Sequence, residues 1–218
     1  MKLKIFTLTI ESDKTIKETP SQLRGFFATK FTEYILLHHH TDTNKFLYKY
    51  PLVQYKTIDK KPVILGINEG AEVLKEIYDQ YDKIRLGDNI YNVYERNITV
   101  KSEEFGLSEK YYGYKFITPW FALNQKNYQK FYSIDRENQH LLLRKTLIAN
   151  LLSISKTLNY QVPSEIKAEV KVRPKKSQLK DTKIMVFEGS FITNFILPDY
   201  IGIGKSVSRG FGTIKKEK

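Results

Sequence analysis

Three of the four histidines in this 218-residue chain are adjacent, at His38, His39 and His40. In an extended segment side chains alternate faces, which sets His38 and His40 on one side, about 6 to 7 Å apart, with His39 opposite. Two imidazoles so placed can flank one phosphate. RNA brings its own nucleophile: a base takes the 2′-hydroxyl proton, that oxygen attacks the neighbouring phosphorus in line, and an acid protonates the departing 5′-oxygen. No metal is required. Histidine suits both roles because its unperturbed pKa lies near 6.5, and each positioned proton transfer contributes roughly 10²- to 10⁴-fold. Lys30, one or two turns before the end of the preceding helix, is placed to stabilise charge growing on the phosphate. If the segment is helical instead, His39 can replace either neighbour. His-x-His in a strand can also chelate a metal, but no carboxylate motif accompanies it and Asp42 is the nearby acid. Neither a metal nor a cofactor is expected. His140, alone at the start of a long helix, reads as structural.

A second chemical stretch is Gly202-Ile203-Gly204-Lys205-Ser206-Val207-Ser208-Arg209-Gly210-Phe211-Gly212, with four of the chain's eleven glycines in eleven residues. Glycine concentrates where backbone takes positive φ or another backbone comes close. Between the glycine pairs stand Lys205, Ser206, Ser208 and Arg209, so the loop is suited to an anion, and phosphate is the natural guest. Gly204-Lys205-Ser206 copies the end of a nucleotide-triphosphate loop, but Asp199 occupies the place of its first glycine and no helix can follow. A dinucleotide fingerprint fails because Val207 stands at the third glycine position. A plain hairpin turn without a guest is the other reading.

The totals agree with a polyanionic partner. There are 36 basic and 24 acidic side chains, a surplus of 12, and such an excess favours nucleic acid. Residues 171–183 hold six basic groups and one acid, and residues 201–218 hold five and one, so nine of the surplus charges fall there. Arg173, Lys175 and Lys176 are the candidates for gripping phosphates, with a solvated face as the alternative. An apolar fraction of 41% excludes a disordered chain. No apolar run is long enough for a membrane helix and no signal-peptide core opens the chain, so a cytoplasmic protein is expected. Without cysteine there are no disulfides, thiolate zinc sites or thiol nucleophiles.

The elements that must position these groups follow from periodicity. Leu3–Ile10 alternates as a half-buried strand. Thr19-Pro20-Ser21-Gln22 reads as a capped helix start, and the helix is expected to reach about Tyr34, with Gly25 packed on the sheet. Tyr50–Lys56 and Pro62–Ile67 form a hairpin, a second helix runs from about Glu69 through Ile84, and Ile90–Val100 is a strand. That order is βαββαβ. After a polar link, Ser102–Glu109, come a strand at Tyr112–Phe116, helices from Asn124 and over Asn138–Leu158, and strands at Ile166–Val172, Lys183–Ile196 and Phe211–Lys215. Leu142, Ile148, Leu151, Leu152 and Leu158 are taken as core contacts of the longest helix. The fold class is α+β, two tandem ferredoxin-like (βαββαβ) domains over 1–104 and 109–218, the first with the histidines and the second with the glycine loop.

The glycine pattern near the C-terminus resembles the glycine-rich loop of the CRISPR-associated endoribonucleases of the Cas-six family. His-x-His after the first helix, followed by Tyr50-Pro51-Leu52-Val53-Gln54-Tyr55-Lys56, is similar to the subtype with a paired-histidine site, as is Thr118-Pro119-Trp120 with Ala122-Leu123-Asn124. The resemblance implies His38 and His40 as acid and base, with Lys30, Tyr48 and Tyr50 as secondary candidates. It also implies RNA beside Gly202, Gly204, Lys205, Ser208, Arg209, Gly210 and Gly212, and a 2′,3′-cyclic phosphate and 5′-hydroxyl as product ends. The implied partner is CRISPR repeat RNA, with other CRISPR-associated proteins as further candidates, and the protein a monomer or homodimer. Two rivals stand beside this reading: a non-catalytic RNA-binding subunit of a CRISPR ribonucleoprotein, and a metal-dependent nuclease.

Overall fold

The computed structural model describes residues 1–38, 50–179 and 182–217. They divide into two units, one of Lys2–Glu103 with Val207–Gly210, the other of Met1, Glu104–Ser206 and Phe211–Lys218.

In the first unit the opening alternation forms β1, Lys2–Ser12, whose Leu3, Leu8 and Ile10 are buried. Helix α1, Pro20–Lys30, starts as its sequence dictates: the Thr19 side chain accepts from the Gln22 amide and the Gln22 side chain accepts from the Thr19 amide. Such a cap stabilises by about 1 kcal/mol. The helix stops earlier than its apolar stripe suggests, because Phe31 leaves the helical conformation and turns its ring onto Phe27, 6.1 Å between centroids. A short helix α2, Ile35–His38, follows. Gly25 is exposed, with nothing within 4 Å of where a Cβ would stand, so it does not mark close packing on the sheet.

The hairpin is β2, Val53–Ile58, and β3, Lys61–Ile67, in antiparallel register from Val53↔Gly66 to Ile58↔Lys61. Helix α3, Glu69–Ile77, ends before Tyr81 and Ile84, although both are buried. The apolar spacing there serves two elements, since Ile84 and Leu86 are the inward positions of an added strand, β4, Lys83–Leu86, with period 2. Strand β5, Asn89–Glu104, pairs with β4. The sheet order is β2-β3-β1-β5-β4, the ferredoxin order with β4 as an extra edge. Phe27, Tyr55, Ile64 and Leu74 are fully buried at its centre.

The expected polar link is strand almost throughout. β6, Gly106–Phe116, begins one residue after the buried Phe105, whose ring lies 5.0 Å from Phe195 and whose carbonyl accepts from the chain's amino terminus. Two helices, α4, Gln125–Ser133, and α5, Arg136–Thr157, are capped by Asn124 and Asp135. The core stripe of α5 is Leu143, Leu147, Leu151 and Ile154; Leu152 is 47% exposed, on the opposite side. Strands β7, Ala168–Leu179, β8, Thr182–Ile196, and β9, Ile214–Lys216, complete a sheet ordered β7-β8-β6-β9. This is again the ferredoxin order, but the second crossover helix is replaced by the loop from Leu197 to Thr213. Among the described residues no helix is long and apolar enough to cross a membrane.

Candidate functional site

His40 and Tyr48 lie outside the described residues, as does His39. His38 closes α2 with a helical backbone, so strand-like alternation does not begin there. Lys30 is the exposed last residue of α1, its Nζ 5.5 Å from the Phe31 ring. Among the described residues no group of three His, Cys, Asp or Glu side chains is disposed to hold a metal.

The glycine loop is fastened at its base. Gly202 pairs antiparallel with Thr213, the Ile203 amide donates to Gly212 O at 2.9 Å, the Gly212 amide to Pro119 O at 2.8 Å, and the Lys205 amide to Phe121 O at 2.8 Å. These amides are engaged within the protein, so the loop presents its side chains more than bare backbone. Gly212 has φ +65°, and a Cβ there would fall on the Ile203 carbonyl oxygen. The tip then joins the other unit: Arg209 bridges Tyr55 in a parallel pairing, and Gly210, at φ +88°, lies so close to Pro20 that a Cβ would stand 2.7 Å from its Cγ. Lys205 thus belongs to the unit of Glu104–Ser206, and Ser208 and Arg209 to that of Lys2–Glu103.

Arg173 and Lys175 share one face of β7 and both reach Glu188, at 3.6 Å and 2.6 Å. The Lys175 hydrogen bond and both cations hold the Glu188 carboxyl below its usual range. Lys176 alternates to the other face. The three candidates thus do not form one patch, and two of them already face an acid. Sequence reasoning missed a different set. The registers Lys171↔Ser190, Lys115↔Ser190 and Lys115↔Lys215 lay one row across all four strands of the sheet. Its three lysines are exposed and, among the described residues, make no ion pair. Like charges in such a row repel, and an RNA backbone relieves that. Lys171 and Lys215 belonged to the basic stretches, but pairing with Lys115 is visible only from register. Trp120 is fully buried, stacked on Phe116 at 5.2 Å with Nε1 donating to Asn150 at 3.2 Å, so it is unavailable to bases. Tyr111 is 57% exposed. His140 contacts Glu169 at 3.0 Å, which also pairs with Arg144.

One buried cation was also missed. Lys56 is inaccessible to solvent, and its Nζ donates to Gln54 Oε1 at 2.9 Å, while Gln54 Nε2 donates to the Tyr50 hydroxyl at 2.7 Å. Burial pulls the lysine pKa down to about 7 from 10.5. The unfolded chain therefore binds more protons between those values, and stability should rise with pH across them, by up to about 1.4 kcal/mol per unit. Urea unfolding from pH 7 to 9.5 should show the rise, and Lys56→Met should flatten it; an equal slope in the variant would refute the assignment.

Two sheets of ferredoxin order, a late glycine loop with cations at its tip and a lysine row across the second sheet define a tandem ferredoxin-like protein suited to a polyanion. The Cas6b N-terminal domain model matches residues 1–104 and the Cas6b C-terminal domain model residues 106–217. A crystal structure of Cas6b is 34% identical with TM-score 0.91, and one of the CRISPR RNA processing endoribonuclease Cas6b is 32% identical with TM-score 0.79, both over the whole of each chain. An uncharacterised protein of Methanocaldococcus jannaschii is 40% identical over 140 residues, 64% of this chain and 95% of its own length. The chain belongs to the Cas6b family.

Proposed function

We propose that this protein is a metal-independent endoribonuclease that cuts CRISPR precursor RNA within its repeats by attack of a 2′-hydroxyl, leaving a 2′,3′-cyclic phosphate and a 5′-hydroxyl. The observation that carries the reading is the Cas6b match across both halves, together with a cationic loop tip packed in the unit that also holds α2 and His38. His38 and His40 act as the acid–base pair. One removes the 2′-hydroxyl proton, the O2′–P bond forms as the P–O5′ bond breaks, and the other gives a proton to the leaving oxygen. Lys30 and Tyr48 are secondary members of the site. Lys205, Ser208 and Arg209 hold RNA, with Gly202, Gly204, Gly210 and Gly212 setting the backbone that carries them. Arg173, Lys175, Lys176 and the lysine row of the second sheet attract its phosphates, which makes affinity fall steeply with salt.

The test is incubation with the host's repeat RNA in EDTA, with analysis of product ends. A single cut is expected, giving the two ends above, and a substrate with a 2′-deoxy sugar before the scissile phosphate should stay whole. Cutting of that substrate, or activity lost in chelator and restored by a divalent ion, would overturn the mechanism. Tight binding without turnover would instead mark a non-catalytic subunit.

A further inference from the structure

Helix α4 carries more aromatic surface than its packing uses. Asn124 caps it, its side chain accepting from the Asn127 amide at 2.8 Å, and three aromatic residues follow. Phe131 alone is buried and seals the helix to the sheet, its ring 5.6 Å from that of Phe187. Tyr128 and Tyr132, four residues apart and so in line along one side of the helix, are 42% and 63% exposed. Their rings meet edge to face, 5.2 Å between centroids at 74°, and such a pair leaves ring face open to solvent. Tyrosine is a middling helix former, so neither burial nor propensity accounts for the two.

The sheet supplies charge beside these rings. The Tyr132 hydroxyl donates to Met185 Sδ at 3.6 Å, which ties the tyrosine line to the start of β8. Met185 is the register partner of Lys176, and Lys183 stands two residues before it on the same face. Both lysines are exposed and, among the described residues, make no ion pair. Lys176, which turns away from Arg173 and Lys175, thus finds its setting here. The sequence has no acid over 110–134, 170–180 or 182–187, so neither α4 nor the adjoining parts of β7 and β8 offset these cations.

Two open rings flanked by two cations suit one ligand chemistry. A base stacks on a tyrosine face whatever its identity, and the lysines meet the phosphates that join it to its neighbours. A duplex keeps its base faces inside its own stack, so the matching ligand is unpaired RNA.

We propose that Tyr128 and Tyr132 of α4, flanked by Lys176 and Lys183, form a stacking site for unpaired nucleotides of the bound RNA. The site rests on the RNA-processing reading above and adds to it the form in which part of the substrate is held.

The experiment is an abasic scan: repeat RNAs each lacking one base, all with a 2′-deoxy sugar before the scissile phosphate so that binding is read without cutting. For the unmodified protein, loss of the stacked base should weaken binding by roughly 5- to 150-fold, the worth of one base on an aromatic ring. Tyr128→Leu and Tyr132→Leu, which keep an apolar side chain and remove the ring, should bind intact RNA more weakly. They should also lose the sensitivity at one or two adjacent positions, where Tyr128→Phe and Tyr132→Phe keep it. Leucine variants that retain full sensitivity at every position overturn the stacking site and leave the nuclease reading intact. So does unchanged RNA affinity in a double leucine variant that has lost self-association in sedimentation, which assigns the face to a protein contact. Failure of the unmodified protein to bind or cut repeat RNA overturns both. If a leucine variant does not fold by its melting curve, photocrosslinking of iodouridine-substituted RNA to the unmodified protein carries the test: crosslinks within Gln125–Ser133 support the site, and crosslinks only elsewhere refute it.

Discussion

Replacing His38 and His40 together by alanine should abolish repeat-RNA cleavage in EDTA while leaving RNA affinity within a few fold. Each single change should cost roughly 10²- to 10⁴-fold in the single-turnover rate, the usual worth of a positioned proton transfer. The double change should cost less than the product, because groups that act as one unit are not additive. The pH profile separates the roles: the intact protein should give a bell, and removal of the base should erase its acidic limb, removal of the acid its basic limb. Lys56 also changes charge near pH 7, so the profile should be repeated in Lys56→Met. A double variant that cuts within tenfold of the unmodified rate would remove histidine from the chemistry.

Gly212→Ala should lower the melting temperature by roughly 6 to 12 °C, the shift that about 3 kcal/mol produces in a chain of this size. Two causes add. An alanine at φ +65° costs about 1 to 2 kcal/mol from backbone sterics alone. The new methyl also displaces the Ile203 carbonyl, loosening the Ile203 and Gly212 amide bonds that fasten the loop base, and an orphaned buried amide costs about 1 to 3 kcal/mol. Gly25→Ala is the contrast: in an open helical position it should be neutral or stabilise by up to about 1 kcal/mol. Differential scanning calorimetry of both variants checks the pair, and a Gly212→Ala melting point within 2 °C of the unmodified protein would refute the loop geometry.

Both ferredoxin sheets were legible because their signals are local. Alternation in β1, the Thr19 and Gln22 capping box and the β2–β3 hairpin need only a few neighbouring residues to declare themselves. What escaped was set at a distance. Tyr81 and Ile84 fit a helical stripe, yet sheet pairing took Ile84 into β4. Ser102–Glu109 looked polar because most of its side chains are solvent-facing, while Phe105 and Gly106 are drawn inward. In α5 Leu151 and Leu158 are buried as expected, but Leu142 and Ile148 are only half-buried and Leu152 is exposed, because leucines crowd both faces and only packing chooses between them. The same holds for the site. The loop and the histidines stood out by residue type, whereas the lysine row depends on strand register, and the bridge of Arg209 to Tyr55 joins the hairpin to the last loop.

The assignment of Val207–Gly210 to the first unit bears on how the polypeptide matures at the ribosome. The early half can bury its helices and sheet soon after Glu103 emerges, but the niche beside Pro20 and Tyr55 stays vacant until Val207–Gly210 have been made. Chains broken off before Val207 would therefore carry a folded first half that lacks Arg209 and the contact of Gly210 with Pro20.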